Sequence, residues 1–140
     1  KAIDKTQLEG YWVLKTFEGK AVGESFKGNI PTLEFDFEQG LVAGSAGCNR
    51  YFGNFALEGN TLKATKLGST MMACLEENKE SEFLQIMSSE EGLQMSLEGN
   101  ILTFKSGEKN LLEFSKEEKV EEVEISDMIN ATDTVPAAEQ

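Results

Sequence analysis

Thr32-Leu33-Glu34-Phe35-Asp36-Phe37, then Glu38-Gln39-Gly40, then Leu41-Val42-Ala43-Gly44-Ser45, is the stretch that sets the fold class. In an extended chain Leu33, Phe35 and Phe37 share one face while Thr32, Glu34 and Asp36 share the other. That period of two marks a half-buried strand. Glu38-Gln39-Gly40 can reverse the chain, so the two runs read as a hairpin. Before them, Leu8 to Phe17 reads as a first strand, with Tyr11, Val13 and Phe17 on one face and Trp12 and Leu14 on the other. Lys20 to Asn29 is polar and glycine-rich and reads as a loop.

Downstream the alternation returns in Phe52 to Leu57 and in Thr61-Leu62-Lys63-Ala64, separated by Glu58-Gly59-Asn60. Leu97-Glu98-Gly99-Asn100 repeats the same turn signal ahead of Ile101-Leu102-Thr103-Phe104, and Leu111-Leu112-Glu113-Phe114 closes the series. One segment breaks the pattern. Around residues 78–88, Phe83 and Met87 stand one helical turn apart, with Glu80 and Glu82 near the start, where the helix dipole favours anions. Many short strands and one helix predict a mainly β domain: an antiparallel barrel or strongly curved sheet, with the helix as plug or lid.

The chain has 140 residues, enough for one domain with a real core. No apolar run approaches the roughly 18 residues of a transmembrane helix. The net charge is −12, and residues 116–140, with 8 acidic and 2 basic residues, carry half of it. This acidic C-terminal tail reads as a solvated segment beyond a β domain at 6–115; Val120, Val123, Ile125, Met128 and Ile129 in it fit neither period. So acidic a surface repels phosphate backbones, which argues against a nucleic-acid partner. Histidine is absent, removing the usual general base and the usual metal ligand. The expectation is therefore no enzyme, no cofactor and no metal.

Two stretches stand apart. Gly47-Cys48-Asn49-Arg50-Tyr51-Phe52-Gly53 combines glycines suited to sharp bends with the chain's only arginine, and Thr70-Met71-Met72-Ala73-Cys74 leads into the helix. Together they resemble the paired signature of the META domain family. Leu8-x-Gly10-x-Trp12, Pro31-Thr32-Leu33-x-Phe35, Glu82-Phe83-Leu84 and Gly99-x-x-Leu102 fit that family's layout as well. The resemblance spans about residues 6–115. It implies a lipocalin-like barrel with a helix, in bacterial envelope or secreted proteins that include a heat-inducible lipoprotein. It brings no general catalytic activity or fixed cofactor. Export to the periplasm, the outer membrane or the medium and an upstream lipid anchor are expectations of that kind, while the start at Lys1, without methionine, fits either a removed leader or a trimmed chain.

Export would permit a Cys48–Cys74 disulfide; closing a loop of about 27 residues, it is worth roughly 3–4 kcal/mol in the chain-entropy model. Two buried thiols are the equal alternative, and a reactive cysteine a minor one. A metal on these cysteines would need carboxylates such as Glu76 or Glu77, without ligand spacing to support it. Asn49, Arg50 and Tyr51 read either as a polar recognition patch or, preferably, as groups satisfying their own turn. Met71, Met72, Met87 and Met95 read as core, or as the lining of an apolar pocket. Glu34 and Asp36 read as the wet side of a strand. The functional expectation is a non-enzymatic envelope domain that binds a protein partner or supports envelope integrity. The alternative is a small apolar ligand inside the barrel, against Phe35, Phe37, Phe52 and Phe55.

Overall fold

The computed structural model describes residues 3–74 and 78–117. Nine strands follow a one-turn helix α1 (Lys5–Leu8): β1 (Tyr11–Phe17), β2 (Lys20–Ala21), β3 (Thr32–Asp36), β4 (Leu41–Ser45), β5 (Arg50–Glu58), β6 (Thr61–Ser69), β7 (Leu93–Glu98), β8 (Ile101–Ser106) and β9 (Lys109–Glu117). Helix α2 (Glu80–Met87) is inserted between β6 and β7. The strands pair antiparallel in one sheet ordered β2-β1-β3-β4-β5-β6-β7-β8-β9, and β1 also pairs with β9, so the sheet closes on itself. The ring is uneven. β6 and β7 meet only at Thr61↔Gln94 and Leu62↔Leu93, whereas β5 follows β6 as far as Ser69. This is the mainly β, antiparallel, barrel-like architecture that the alternation predicts. No described helix is long and apolar enough to cross a membrane.

Both Leu-Glu-Gly-Asn copies form two-residue hairpins, Glu58↔Thr61 and Glu98↔Ile101, with Gly59 at φ +61° and Gly99 at φ +60°. Glycine takes that conformation without a Cβ penalty. At the β3–β4 turn Asp36 Oδ1 accepts the Glu38 and Gln39 N–H groups at 3.1 and 3.2 Å. Asp36 thus serves the β3–β4 turn.

The core runs along the inner face: Trp12 and Leu14 of β1, Leu33 of β3, Val42 of β4, Leu62 of β6 and Leu102, Phe104, Leu112 and Phe114 of the last hairpin are all buried. Each side chain of this size contributes about 1.5–3 kcal/mol by leaving water. Trp12 adds a hydrogen bond from its indole Nε1 to the Leu8 carbonyl at 2.9 Å, tying α1 under the barrel. Phe83, at 0% exposure, carries α2 into this core, its ring edge-on to Tyr51, Phe26 and Phe114.

Three expectations need correction. Leu8 belongs to α1, not to the first strand. Phe17 lies buried with Trp12 and Leu14, not with Tyr11 and Val13, because a bulge between Leu14 and Thr16 shifts the register by one residue. The 20–29 loop contains β2 and a single 3-10 turn, Val22–Glu24, and it delivers Phe26 into the core at 2% exposure. Strand β9 takes in Lys116 and Glu117. Lys116 Nζ sits 5.2 Å from the Trp12 ring centroid, and Glu117 pairs with Lys15 at 2.8 Å. From residue 118 the acidic tail lies outside the described residues, as do Glu76 and Glu77.

Candidate functional site

The two singled-out stretches meet at one end of the barrel. The β4–β5 turn closes with the Ala46 N–H on the Asn49 carbonyl at 2.7 Å. Gly47 has φ +123°, and a Cβ there would lie 3.1 Å from the Phe26 ring, so conformation and space both call for glycine. Gly44 is as constrained for another reason: its Cβ would fall 2.2 Å from the Thr32 carbonyl oxygen. At Gly53 a Cβ would meet the Thr65 carbonyl oxygen and Leu67 Cδ2 at 2.9 Å, where the β5–β6 ladder shifts register.

Asn49 is the buried polar side chain of this end, 5% exposed. Its Oδ1 accepts the Met72 N–H at 2.6 Å and the Thr70 hydroxyl at 2.8 Å. Its Nδ2 donates to the Met72 carbonyl at 3.3 Å and to Glu80 Oε2 at 2.7 Å. Glu80 Oε1 accepts the backbone N–H groups of Cys48 and Asn49, both at 2.8 Å. Consecutive N–H groups of a glycine turn form an anion-binding concavity. Here the chain fills that concavity with its own carboxylate from the first turn of α2. Partial burial alone would raise the Glu80 carboxyl. The hydrogen bonds from the Asn49 amide and from the Asn49 and Cys48 N–H groups outweigh it and hold the group below the usual carboxylate range.

Cys48 and Cys74 are joined in a disulfide, S–S 2.06 Å, spanning the same two segments that Asn49 bridges. Of the states open to the cysteines, the structure holds the bonded one. Cys48, Cys74 and Glu80 bring ligand-type atoms within 4.8 Å of one another. Bonded sulfurs are not thiolates, however, and the carboxylate already accepts three N–H groups, so in this state the cluster lacks the donor set of a metal centre.

The neighbouring motif residues serve the same end. Tyr51 is fully buried, and its hydroxyl donates to the Thr32 carbonyl at 2.7 Å. Burial drives its phenol far above the ordinary range, although Arg50 pulls the other way. It cannot ionise as a base near neutrality. Arg50 is exposed, and its backbone N–H and carbonyl bond Thr70 at 3.1 and 2.9 Å. Ala73 is exposed beside the disulfide. Met71 and Met72 are also exposed, at 89% and 59%, which corrects their reading as core; Met87 and Met95 are in the core. Their segment is held by its backbone, leaving both side chains outside.

Composition and spacing missed Glu80's role. It read as a partner for the helix dipole, and the sequence separation of 31 from Asn49 hides its contact with the turn. Phe35, Phe37 and Phe55 pack on one another at 5.2–5.5 Å between ring centroids, and Phe52 is 53% exposed on the outer face.

The chain is thus an antiparallel sheet closed on itself and pinned at one end by a disulfide and by the buried Asn49 in the grip of the partly buried Glu80. The chain belongs to the META domain family, whose model matches residues 5–119. A protein solved by NMR is 27% identical with a TM-score of 0.64, over 81% of this chain and 95% of its own. An NMR structure of a protein from Burkholderia xenovorans is 24% identical with a TM-score of 0.63, over 81% of this chain and 86% of its own; it speaks to the fold alone. No curated protein matches the chain.

Proposed function

We propose that this META domain is a non-enzymatic module of the bacterial envelope or exported fraction, acting through a protein partner or in support of envelope integrity. One observation carries the reading. The residues that look chosen for chemistry, Gly47, Cys48, Asn49, Tyr51, Thr70, Cys74 and Glu80, are bonded to one another or to the adjoining strands. Glu80, the carboxylate at their centre, accepts three N–H groups and is held ionised, a poor state for a general acid. The disulfide supports an oxidising compartment, since such bonds are rare where thiols are kept reduced. Alkylation and mass measurement on the denatured, non-reduced protein from its own cells tests the compartment. Two alkylated cysteines would count against export. Crosslinking of the exported protein tests the partner reading, and recovery of nothing under gentle conditions speaks against it.

A further inference from the structure

The outer face of the barrel is unevenly furnished. Across four adjacent strands the register places Tyr11, Glu34, Ala43 and Phe52 in one row. Val13 and Leu41 extend it on either side, and Phe52 and Leu41 are 53% and 36% exposed. Two adjoining depressions meet at Glu34. The lower, of about 520 Å³, is walled by Glu9, Glu34, Asp36 and Glu38 beside Leu41 and Ala43, and the one cation at its edge is Lys5 of α1, whose Nζ lies 5.9 Å from the Phe37 ring centroid, so acidic groups outnumber it. The upper, of about 600 Å³, runs past Tyr11, Val13 and Ile30 to Arg50.

Resting on the partner-binding reading, we infer that this face of β1, β3, β4 and β5 is a docking surface for a basic protein segment with alternating apolar and lysine or arginine side chains. The charge selects the occupant. A second copy would bring another −12 against the same carboxylates, and a phosphate backbone is repelled for the same reason. A cationic segment meets Glu9, Glu34, Asp36 and Glu38 with opposite charge and covers Tyr11, Ala43 and Phe52 with its apolar side chains. Complementarity of this kind acts on association rate and selectivity, and salt weakens it.

The test titrates the folded chain with an alternating lysine–valine decapeptide and with its glutamate–valine counterpart, following backbone amide NMR shifts. The lysine peptide moves Tyr11, Glu34, Ala43 and Phe52, and the glutamate peptide does not. Glu9→Gln/Glu38→Gln weakens binding at least about fivefold, while Glu58→Gln/Glu98→Gln, at the hairpin turns, changes it less than about twofold. Phe52→Ala, with every charge intact, also weakens it. Overturning results are no binding, equal binding of both peptides, or equal loss in both charge variants. Self-association of the free chain through this face at working concentrations overturns it too. Failure here leaves the crosslinking result for the native protein standing, so the two readings fall separately.

Discussion

Glu80 grips Asn49 twice: Oε1 takes its backbone N–H at 2.8 Å and Oε2 takes its side-chain amide at 2.7 Å. The first residue of α2 thereby fixes the turn that begins β5. Asn49, oriented by that grip, presents Oδ1 to Thr70 and Met72. Helix, turn and the strand that ends at Ser69 are locked through one amide.

Removing the carboxylate strands two backbone N–H groups and the Asn49 amide. Glu80→Ala should cost about 1.5 kcal/mol, discounted for the partial exposure of the pair, and lower the melting temperature by roughly 5–10 °C. Glu82→Ala, one exposed residue along the same helix turn, should stay within about 0.5 kcal/mol. Thermal melts followed by circular dichroism decide; equal effects would remove Glu80 from its place in the network.

The Glu80 advantage should depend on pH. Its folded pKa is depressed, so its contribution is present above the unfolded value of about 4.3 and is lost as pH falls through the folded value. Urea midpoints of the native protein and Glu80→Gln should differ at pH 7 and converge at strongly acidic pH. A gap that widened in acid would reverse the assigned sign.

The disulfide and Asn49 hold the same segments by independent means. Cys48→Ser/Cys74→Ser should lose about 2–4 kcal/mol and keep the native far-ultraviolet spectrum, because Asn49 still binds Thr70 and Met72. Adding Asn49→Ala should cost more in that background than in the oxidised protein. Strictly additive urea midpoints would show the two links to be unrelated.

Tyr51 and Gly44 converge on the Thr32 carbonyl. Tyr51→Phe removes one buried hydrogen bond and should cost about 1–1.5 kcal/mol. Gly44→Ala drives a methyl group to 2.2 Å from that oxygen, and backbone must move, so its cost should exceed about 3 kcal/mol. Chemical denaturation ranks them, and the reverse order contradicts the packing described.

Strand alternation was legible because inward and outward positions obey one local rule, and Leu33, Phe35, Trp12 and Leu14 follow it. The rule fails where the chain leaves ideal register, as at Phe17, displaced by a bulge that no spacing announces. It is silent in loops. Phe26 is buried from a polar stretch because Phe17, on the strand before the loop, and Phe83, far along the chain, supply its neighbours. Met71 and Met72 are apolar yet exposed, since the Met72 backbone is held by Asn49 and the disulfide anchors the chain beside them.

By itself, then, the sequence determined the β class, the helix position, the hairpin turns and the acidic charge, because each depends on neighbours within a few residues. The closure of β1 on β9, the bond between Cys48 and Cys74 and the seating of Glu80 under Asn49 were decided only in three dimensions. Each joins groups that separate stretches of chain bring together. The energy of such a contact depends on distance and burial, which no local pattern encodes.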